Sequence, residues 1–312
     1  MGKENITTFT EFILLGFSLS PALQVLLFVT FLVVYTVTVV GNTAIVTLTS
    51  LDSHLQTPMY FFLCNLAILN ICCTSAVVPK MLANFLSTRK SISSGLCGAQ
   101  MYVTLFLGAA ECIFLAVMAF DRYIAICYPL RYAILMSKQV CVSMAAGSWI
   151  TTFLGSVVPL VWLQLPLCDS NVIDHYFCEV PAMLELVCAD TTTSESAMFM
   201  GGIATEILPF IFILLSYIRI ITTILHIASA DGRKKAFSTC SAHLTAVTIF
   251  YTTAMLMYMR SKEQRTPQQD KVISVFYTII NPMLNPIIYS LRNNEVKGAF
   301  MKVLGRSKMT QL

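Results

Sequence analysis

Seven apolar stretches, each about twenty residues or longer, divide this chain and constrain its fold more than any single motif. They cover residues 23–48, 58–78, 101–126, 140–162, 197–224, 236–259 and 272–291. A hydrocarbon core of about 30 Å takes roughly 20 apolar residues to cross as a helix, the form in which a segment satisfies its own backbone polar groups in lipid. With 56% hydrophobic residues, 12% charged residues and a mean hydropathy of +0.74, the composition excludes an ordinary soluble domain. The expected architecture is an all-α membrane protein: one seven-transmembrane helix bundle over residues 1–312.

An odd number of spans puts the termini on opposite sides of the membrane. Asn5-Ile6-Thr7 is a glycosylation sequon, usable only on the lumenal side. With that end outside, most of the 20 Lys and Arg residues fall in inner segments, as the positive-inside rule requires. Segment 163–196, too long for a simple connector, carries Cys168, Cys178 and Cys188 among acidic residues, which suits an oxidising compartment. The three signals place residues 1–22 outside and the tail 292–312 inside. No cleavable signal peptide is evident, so the first span is read as a signal anchor.

Of the eleven cysteines, Cys64, Cys72, Cys73, Cys112, Cys127, Cys141 and Cys240 fall within or at the inner ends of spans, where Cys acts as a small buried hydrophobe. Cys97, Cys168, Cys178 and Cys188 remain outside. Two bridges are expected, and the three connectivities open to four cysteines stay open at this point.

The third span ends in "MAFDRYIAICYPLRY", residues 118–132, where Asp121 and Arg122 interrupt the apolar run. At about 100° per residue, Thr104, Glu111 and Arg122 return to within about 20° of one helical face. Glu111 then lies roughly 16 Å above Arg122, near the bilayer midplane. A carboxylate at that depth belongs in the bundle interior beside a partner; the alternative is a protonated Glu111 hydrogen-bonded between helices.

These residues carry a resemblance that runs almost end to end. The chain resembles the olfactory receptors of the rhodopsin-like G-protein-coupled receptor family. The resemblance rests on "GN" at Gly41-Asn42, "TPMYFFL" at 57–63, "MAFDRYIAICYPLRY", "SY" at Ser216-Tyr217, "KAFSTCSAHL" at 235–244 and "PMLNPIIYSLRN" at 282–293. Any one of these is short; their order and spacing across seven spans make the match specific, and "PMYFFL" with "KAFSTC" points to the olfactory branch.

The resemblance implies an odorant receptor that binds a small, mostly apolar organic molecule in the outer half of the bundle. It implies activation of the heterotrimeric olfactory stimulatory G protein, which raises cyclic AMP, at the plasma membrane of sensory cilia. Asp121 and Arg122 would form the inner-face switch, with Tyr123, Tyr217, Asn285, Pro286 and Tyr289 as its companions. An always-charged, bidentate guanidinium suits that role. By resemblance Cys97 pairs with Cys178, and Cys168 pairs with Cys188 to fold segment 163–196 into a lid.

Positions matching the family's ligand site are Thr104, Leu105, Gly108, Ala109 and Cys112 on the third span. The fifth span supplies Gly202, Thr205 and Glu206; the sixth and seventh supply Tyr251, Ala254, Met255, Tyr258 and Thr278. This lining is apolar with a few hydroxyls, as a small organic ligand requires. Thr104 stands where amine receptors carry an aspartate, which argues against a biogenic amine of the kind they bind. Glu206 lies three residues before Pro209, where a freed carbonyl invites a bond within the bundle.

The chain departs from the family at Asn70, where an aspartate is usual; that aspartate and the counterpart of Glu111 are expected to hold sodium. Losing one formal charge leaves a weak sodium site at best. Tyr128 and Ala242 replace a usual His and Ser at the inner end and bear on coupling strength. Asp231 and Gly232 are read as the turn between the fifth and sixth spans. Residues 293–309 alternate apolar and basic positions at helical spacing, which predicts an amphipathic helix on the membrane lipid.

Other classes fit poorly. The four His residues show no metal-ligand spacing, no phosphate loop or nucleophile motif is present, and no cofactor or nucleic-acid partner is implied. A transporter would show internal repeats and more mid-membrane charge. A receptor for a non-odorant metabolite, expressed outside the olfactory epithelium, is the surviving alternative.

Overall fold

The computed structural model describes residues 9–17, 19–157, 167, 170–187, 192, 196, 200–227, 229–260 and 265–292. Asn5, Cys168, Cys188 and the expected tail helix lie outside the described residues. Among the described residues, six helices are long and apolar enough to cross a membrane, and seven when the bent pair Pro129–Leu135 and Lys138–Gly155 is taken as one span.

Helix α1 covers Pro21–Leu51, α2 Pro58–Leu86, α3 Ser94–Cys127, α4 Lys138–Gly155, α5 Met200–Leu225 and α6 Ala230–Tyr258. The last, α7, joins Pro267–Val275, a π turn Phe276–Ile280 and Asn281–Arg292. Their starts follow helix chemistry. Pro stands in the first turn of α1, α2 and α7, where its missing N–H costs nothing. Ser93, Ser137, Ser229 and Thr266 accept a first-turn N–H through their side-chain oxygens.

Two expectations are corrected here. Asp231 and Gly232 are not the turn between α5 and α6: Ser229 caps the helix, Gly232 N–H donates to Ser229 Oγ, and Asp231 sits in the first turn, where the helix dipole favours an acid. The second span does not stop at residue 78; α2 runs through Pro79 to Leu86. Pro79 leaves the carbonyl of Ser75 without its helical partner, and a neighbouring helix supplies polar contact there, with Tyr35 Oη 3.0 Å from Ser75 Oγ.

The apolar residues sort into two faces. On α5, Ile213, Tyr217, Ile220 and Ile224 turn inward while Phe212, Leu215 and Ile218 remain exposed. Helix α3 is central, packing against α2, α4, α5 and α6. Phe62, Leu66, Ala110 and Phe114 are fully buried at its contacts. Across the α2–α4 seam, Trp149 Nε1–H donates to Asn65 Oδ1 at 3.0 Å.

One end of the bundle is roofed by a small sheet that the sequence did not announce. Strand β1 (Glu11–Leu14) lies between β2 (Ser91–Ser93), antiparallel, and β3 (Val172–Ile173), parallel. Gly16, at φ +65°, turns the chain out of the strand; its N–H donates to His175 O at 3.1 Å. The disulfide Cys97–Cys178 ties this roof to the start of α3, over a sequence separation of 81.

Candidate functional site

Beneath the roof, the segment "DHYFCEV" hangs into the bundle. Tyr176, Phe177 and Cys178 are almost wholly buried. Cys178 N–H donates to Gln100 Oε1 at 2.8 Å, and Gln100 Nε2 donates onward to Ala76 O at 2.7 Å, locking the segment to α3 and α2. Asp174 accepts from Lys271 Nζ at 2.6 Å and fixes its other side to α7.

Glu179 follows the bridged cysteine and is 3% exposed. Its Oε1 accepts hydrogen bonds from Tyr258 Oη, at 3.1 Å, and from Tyr277 Oη, while Oε2 has no partner. Burial pushes Glu179 up to about 7, against the lowering effect of the Tyr277 and Tyr258 bonds. Burial and nearby Lys271 push His175 down to about 3. The 3.7 Å approach of His175 Nε2 to Glu179 Oε2 is therefore not an ion pair, because the imidazole is neutral. Its Nδ1 takes the Phe177 N–H at 3.5 Å, which assigns the ring proton to Nε2, 3.2 Å from Ser274 Oγ.

Below this lid lie the positions read as ligand contacts. Cys112, Tyr251, Ala254, Thr278 and Glu206 are buried; Thr104, Leu105, Gly108, Ala109, Gly202, Thr205, Met255 and Tyr258 are partly so. Several of their polar groups are already committed. Thr104 Oγ1 donates to Gln100 O at 2.9 Å and Thr205 Oγ1 to Gly201 O at 2.9 Å, each within its own helix. Tyr251 Oη donates to Cys112 O at 3.1 Å. Thr278 Oγ1 donates to Ser274 O at 2.6 Å and shares a 3.1 Å bond with Tyr176 Oη.

Among the described residues, Glu206 Oε2 finds no bond within the bundle of the kind Pro209 suggested. The freed backbone is absorbed by a π turn, Ile203–Ile207, closed by Leu208 N–H to Ile203 O, and Glu206 Oε2 is left buried without a partner.

A polar layer follows below. Asn281 Nδ2 donates to Glu111 Oε1 at 2.9 Å and Asn285 Nδ2 reaches the same oxygen at 3.5 Å. Asn285 also reaches Asn70 Oδ1 at 3.4 Å, and Asn70 Nδ2 donates to Asn42 Oδ1 at 3.2 Å. Glu111 and Asn70 are thus joined through Asn285 rather than directly. The amide oxygens of Asn281 and Asn285 have no partner. Glu111 is the one formally charged side chain in this layer of Asn70, Asn281 and Asn285, so any cation held by these oxygens would be held weakly.

At the opposite end, Asp121 is fully buried and holds Arg122 in a two-point clasp: Arg122 Nε donates to Asp121 Oδ2 at 2.9 Å, and Nη2 donates to the same atom. The other carboxylate oxygen accepts from Tyr132 Oη at 2.6 Å. Sequence reasoning missed Tyr132 as the third member, although it lies inside the quoted motif. Tyr123 stacks edge-on against Tyr128, with hydroxyls 3.4 Å apart. His243 Nε2–H donates to Leu115 O at 3.1 Å, so its Nδ1 accepts from Tyr217 Oη at 2.8 Å, linking α3, α5 and α6. Tyr289 is buried, and among the described residues its hydroxyl has no partner.

A disulfide-tied roof at one end of a bundle of six apolar helices, seven with the bent pair, and an Asp–Arg clasp at the other define a multi-pass membrane protein of receptor architecture. A family model described as "Olfactory receptor" matches residues 31–307. The chain is 51% identical to Olfactory receptor 10A7 of Homo sapiens over 310 residues, 99% of this chain and 98% of the relative. It is 48% identical to Olfactory receptor 2K2 of Homo sapiens over 312 residues, 100% and 98% of the two chains. With Olfactory receptor-like protein OLF3 of Canis lupus familiaris it shares 46% over 307 residues, 98% and 97%. The chain belongs to the olfactory receptor family: it is a G-protein-coupled receptor and not an enzyme.

Proposed function

We propose that a small organic odorant enters the chamber between α3, α5, α6 and α7 under the lid, and that its binding releases the Asp121–Arg122 clasp toward a stimulatory G protein. The clasp carries the reading. A partly buried arginine held by a single carboxylate oxygen, beside a tyrosine that bonds the other, is an ion pair that can exchange partners. The disulfide end faces the outside, where thiols oxidise, and the clasp end faces the cytoplasm of a plasma membrane whose anionic lipids meet Arg233 and Lys234.

The ligand set is Thr104, Leu105, Gly108, Ala109, Cys112, Gly202, Thr205, Glu206, Tyr251, Ala254, Met255, Tyr258 and Thr278. The switch is Asp121, Arg122, Tyr123, Tyr217, Asn285, Pro286 and Tyr289. The ligand shifts a pre-existing equilibrium only by its differential affinity for the two bundle arrangements. In cells expressing the olfactory stimulatory G protein, odorants that raise cyclic AMP through the wild type should raise none through Arg122→Ala at matched surface expression. Full signalling by that variant would overturn the coupling role.

A further inference from the structure

The acid among the ligand positions sits on the fifth helix, and among the described residues nothing answers its Oε2. Glu206 is 9% exposed, and its Oε2 is buried without a hydrogen-bond partner. It lies on the inward stripe of α5, one repeat of seven before Ile213 and eleven before Tyr217, both buried. Its electrostatic neighbours, Cys112 on α3 and Tyr251 and Tyr258 on α6, confirm that the carboxylate looks across the bundle rather than toward lipid.

The nearby donors among the described residues are already committed. Tyr251 Oη donates to Cys112 O, Tyr258 Oη to Glu179, and the Thr205 and Thr104 hydroxyls to their own helices. The neighbouring charged groups are acids: Glu111 below, and Glu179 above with an unpartnered Oε2 of its own. Among the described residues, Lys271 pairs with Asp174 and Arg260 with Asp270, while Arg265 donates to Met257 O, keeps an unpartnered Nε and neighbours Glu179 rather than Glu206. A buried carboxylate without a counter-charge is costly in such a place, and among the described residues none supplies that charge, which leaves room for a partner from outside the chain.

We propose that the ligand of this receptor carries a basic nitrogen, and that its protonated amine is held by Glu206 against the rings of Tyr251 and Tyr258. Those aromatic faces attract an ammonium as the carboxylate does, while Cys112 and Ala254 leave an apolar wall for the carbon body. Thr104 does not oppose this assignment. The amine's counter-charge has moved from α3 to α5, into a wall whose π turn presents it inward. Gly202, one turn earlier, lies close to the flexible end of Met259: a Cβ there would stand 3.2 Å from its Cε, so the ligand that fits beside Glu206 is small.

This inference rests on the odorant-receptor reading, and the test separates the two. Surface-expressed wild-type receptor with the olfactory stimulatory G protein is exposed to matched sets sharing one carbon frame: cyclohexylamine, cyclohexanol and methylcyclohexane, then benzylamine, benzyl alcohol and toluene. The amines should be the agonists, with potency at least roughly 100-fold above their neutral partners, the scale of a buried charge pair. Glu206→Gln, isosteric and uncharged, should remove that preference by a similar factor. The wild-type ranking alone decides the matter if the variant fails to reach the surface. Activation by the neutral members with no gain for the amines would overturn the amine assignment and leave the odorant reading standing. Silence toward every compound, with surface expression verified, would overturn both.

Discussion

Glu179 and His175 approach to 3.7 Å under the lid, and burial displaces them in opposite senses. The folded lid holds the Glu179 proton more tightly than an unfolded chain. That stabilisation is complete below the ordinary value of 4.5 and is lost as pH rises through about 7. His175 has the reverse sign: its contribution is complete above 6.5 and is lost as pH falls toward about 3. Between 4.5 and 6.5 the slopes oppose each other, each bounded by about 1.4 kcal/mol per pH unit, so wild-type stability should be nearly flat there. Glu179→Gln should expose the histidine slope, with stability falling on acidification, and His175→Asn the glutamate slope, falling as pH rises toward 7. Thermal unfolding in detergent, followed by labelling of the buried cysteines across this range, reads both; three parallel profiles would reject the account. At the same scale, Asn70→Asp should add a second formal charge near Glu111 and make basal signalling more sensitive to sodium. Equal sodium responses in both forms would count against a cation there. Glu179 was absent from the site read in the sequence, although it directly follows Cys178. Nothing in "HYFCEV" tells an acid pulled under a lid by its disulfide from one left in water.

Among the elements, the meeting of α1 and α7 explains why "GN" and "NP" stand where they do. Pro286 has no N–H, so the carbonyl of Pro282, four residues back, loses its helical partner. Asn42 Nδ2 donates to that carbonyl at 3.1 Å, and Gly41 lets the proline ring approach: a Cβ on Gly41 would meet Pro286 Cγ at 3.1 Å. Asn42→Leu should cost about 1–3 kcal/mol for each buried polar group it strands, at Pro282 and at Asn70. Gly41→Val should destabilise more than Gly41→Ala, because the proline ring can yield by tenths of an ångström and no further. Melting of the purified receptor checks the order, and equal midpoints for wild type and Asn42→Leu would remove the carbonyl argument. The helices themselves were legible, since a twenty-residue apolar run in lipid has few alternatives to a helix. The roof strand β1 was not, because four residues earn strand geometry only from partners at 91–93 and 172–173.

For the whole molecule, the Cys97–Cys178 bridge holds roof, lid and α3 as one unit. Removing a native bridge of this kind costs about 2–5 kcal/mol. Cys97→Ser with Cys178→Ser should lower surface expression several-fold and abolish ligand response in the receptors that arrive. An unchanged odorant response would show that the lid closes without it. The sequence by itself determined the seven apolar segments, the family, and the motifs at the clasp, because hydropathy and short motifs are local and survive without a third dimension. Only the tertiary structure decided that Tyr132 completes the clasp, that Glu111 reaches Asn70 through Asn285, and that, among the described residues, Glu206 Oε2 stands unanswered while the Tyr251, Tyr258, Thr104 and Thr205 hydroxyls are spent. Those facts are relations between residues up to 215 positions apart, created when helices pack and water is excluded, and a linear pattern carries no record of which polar groups will find each other.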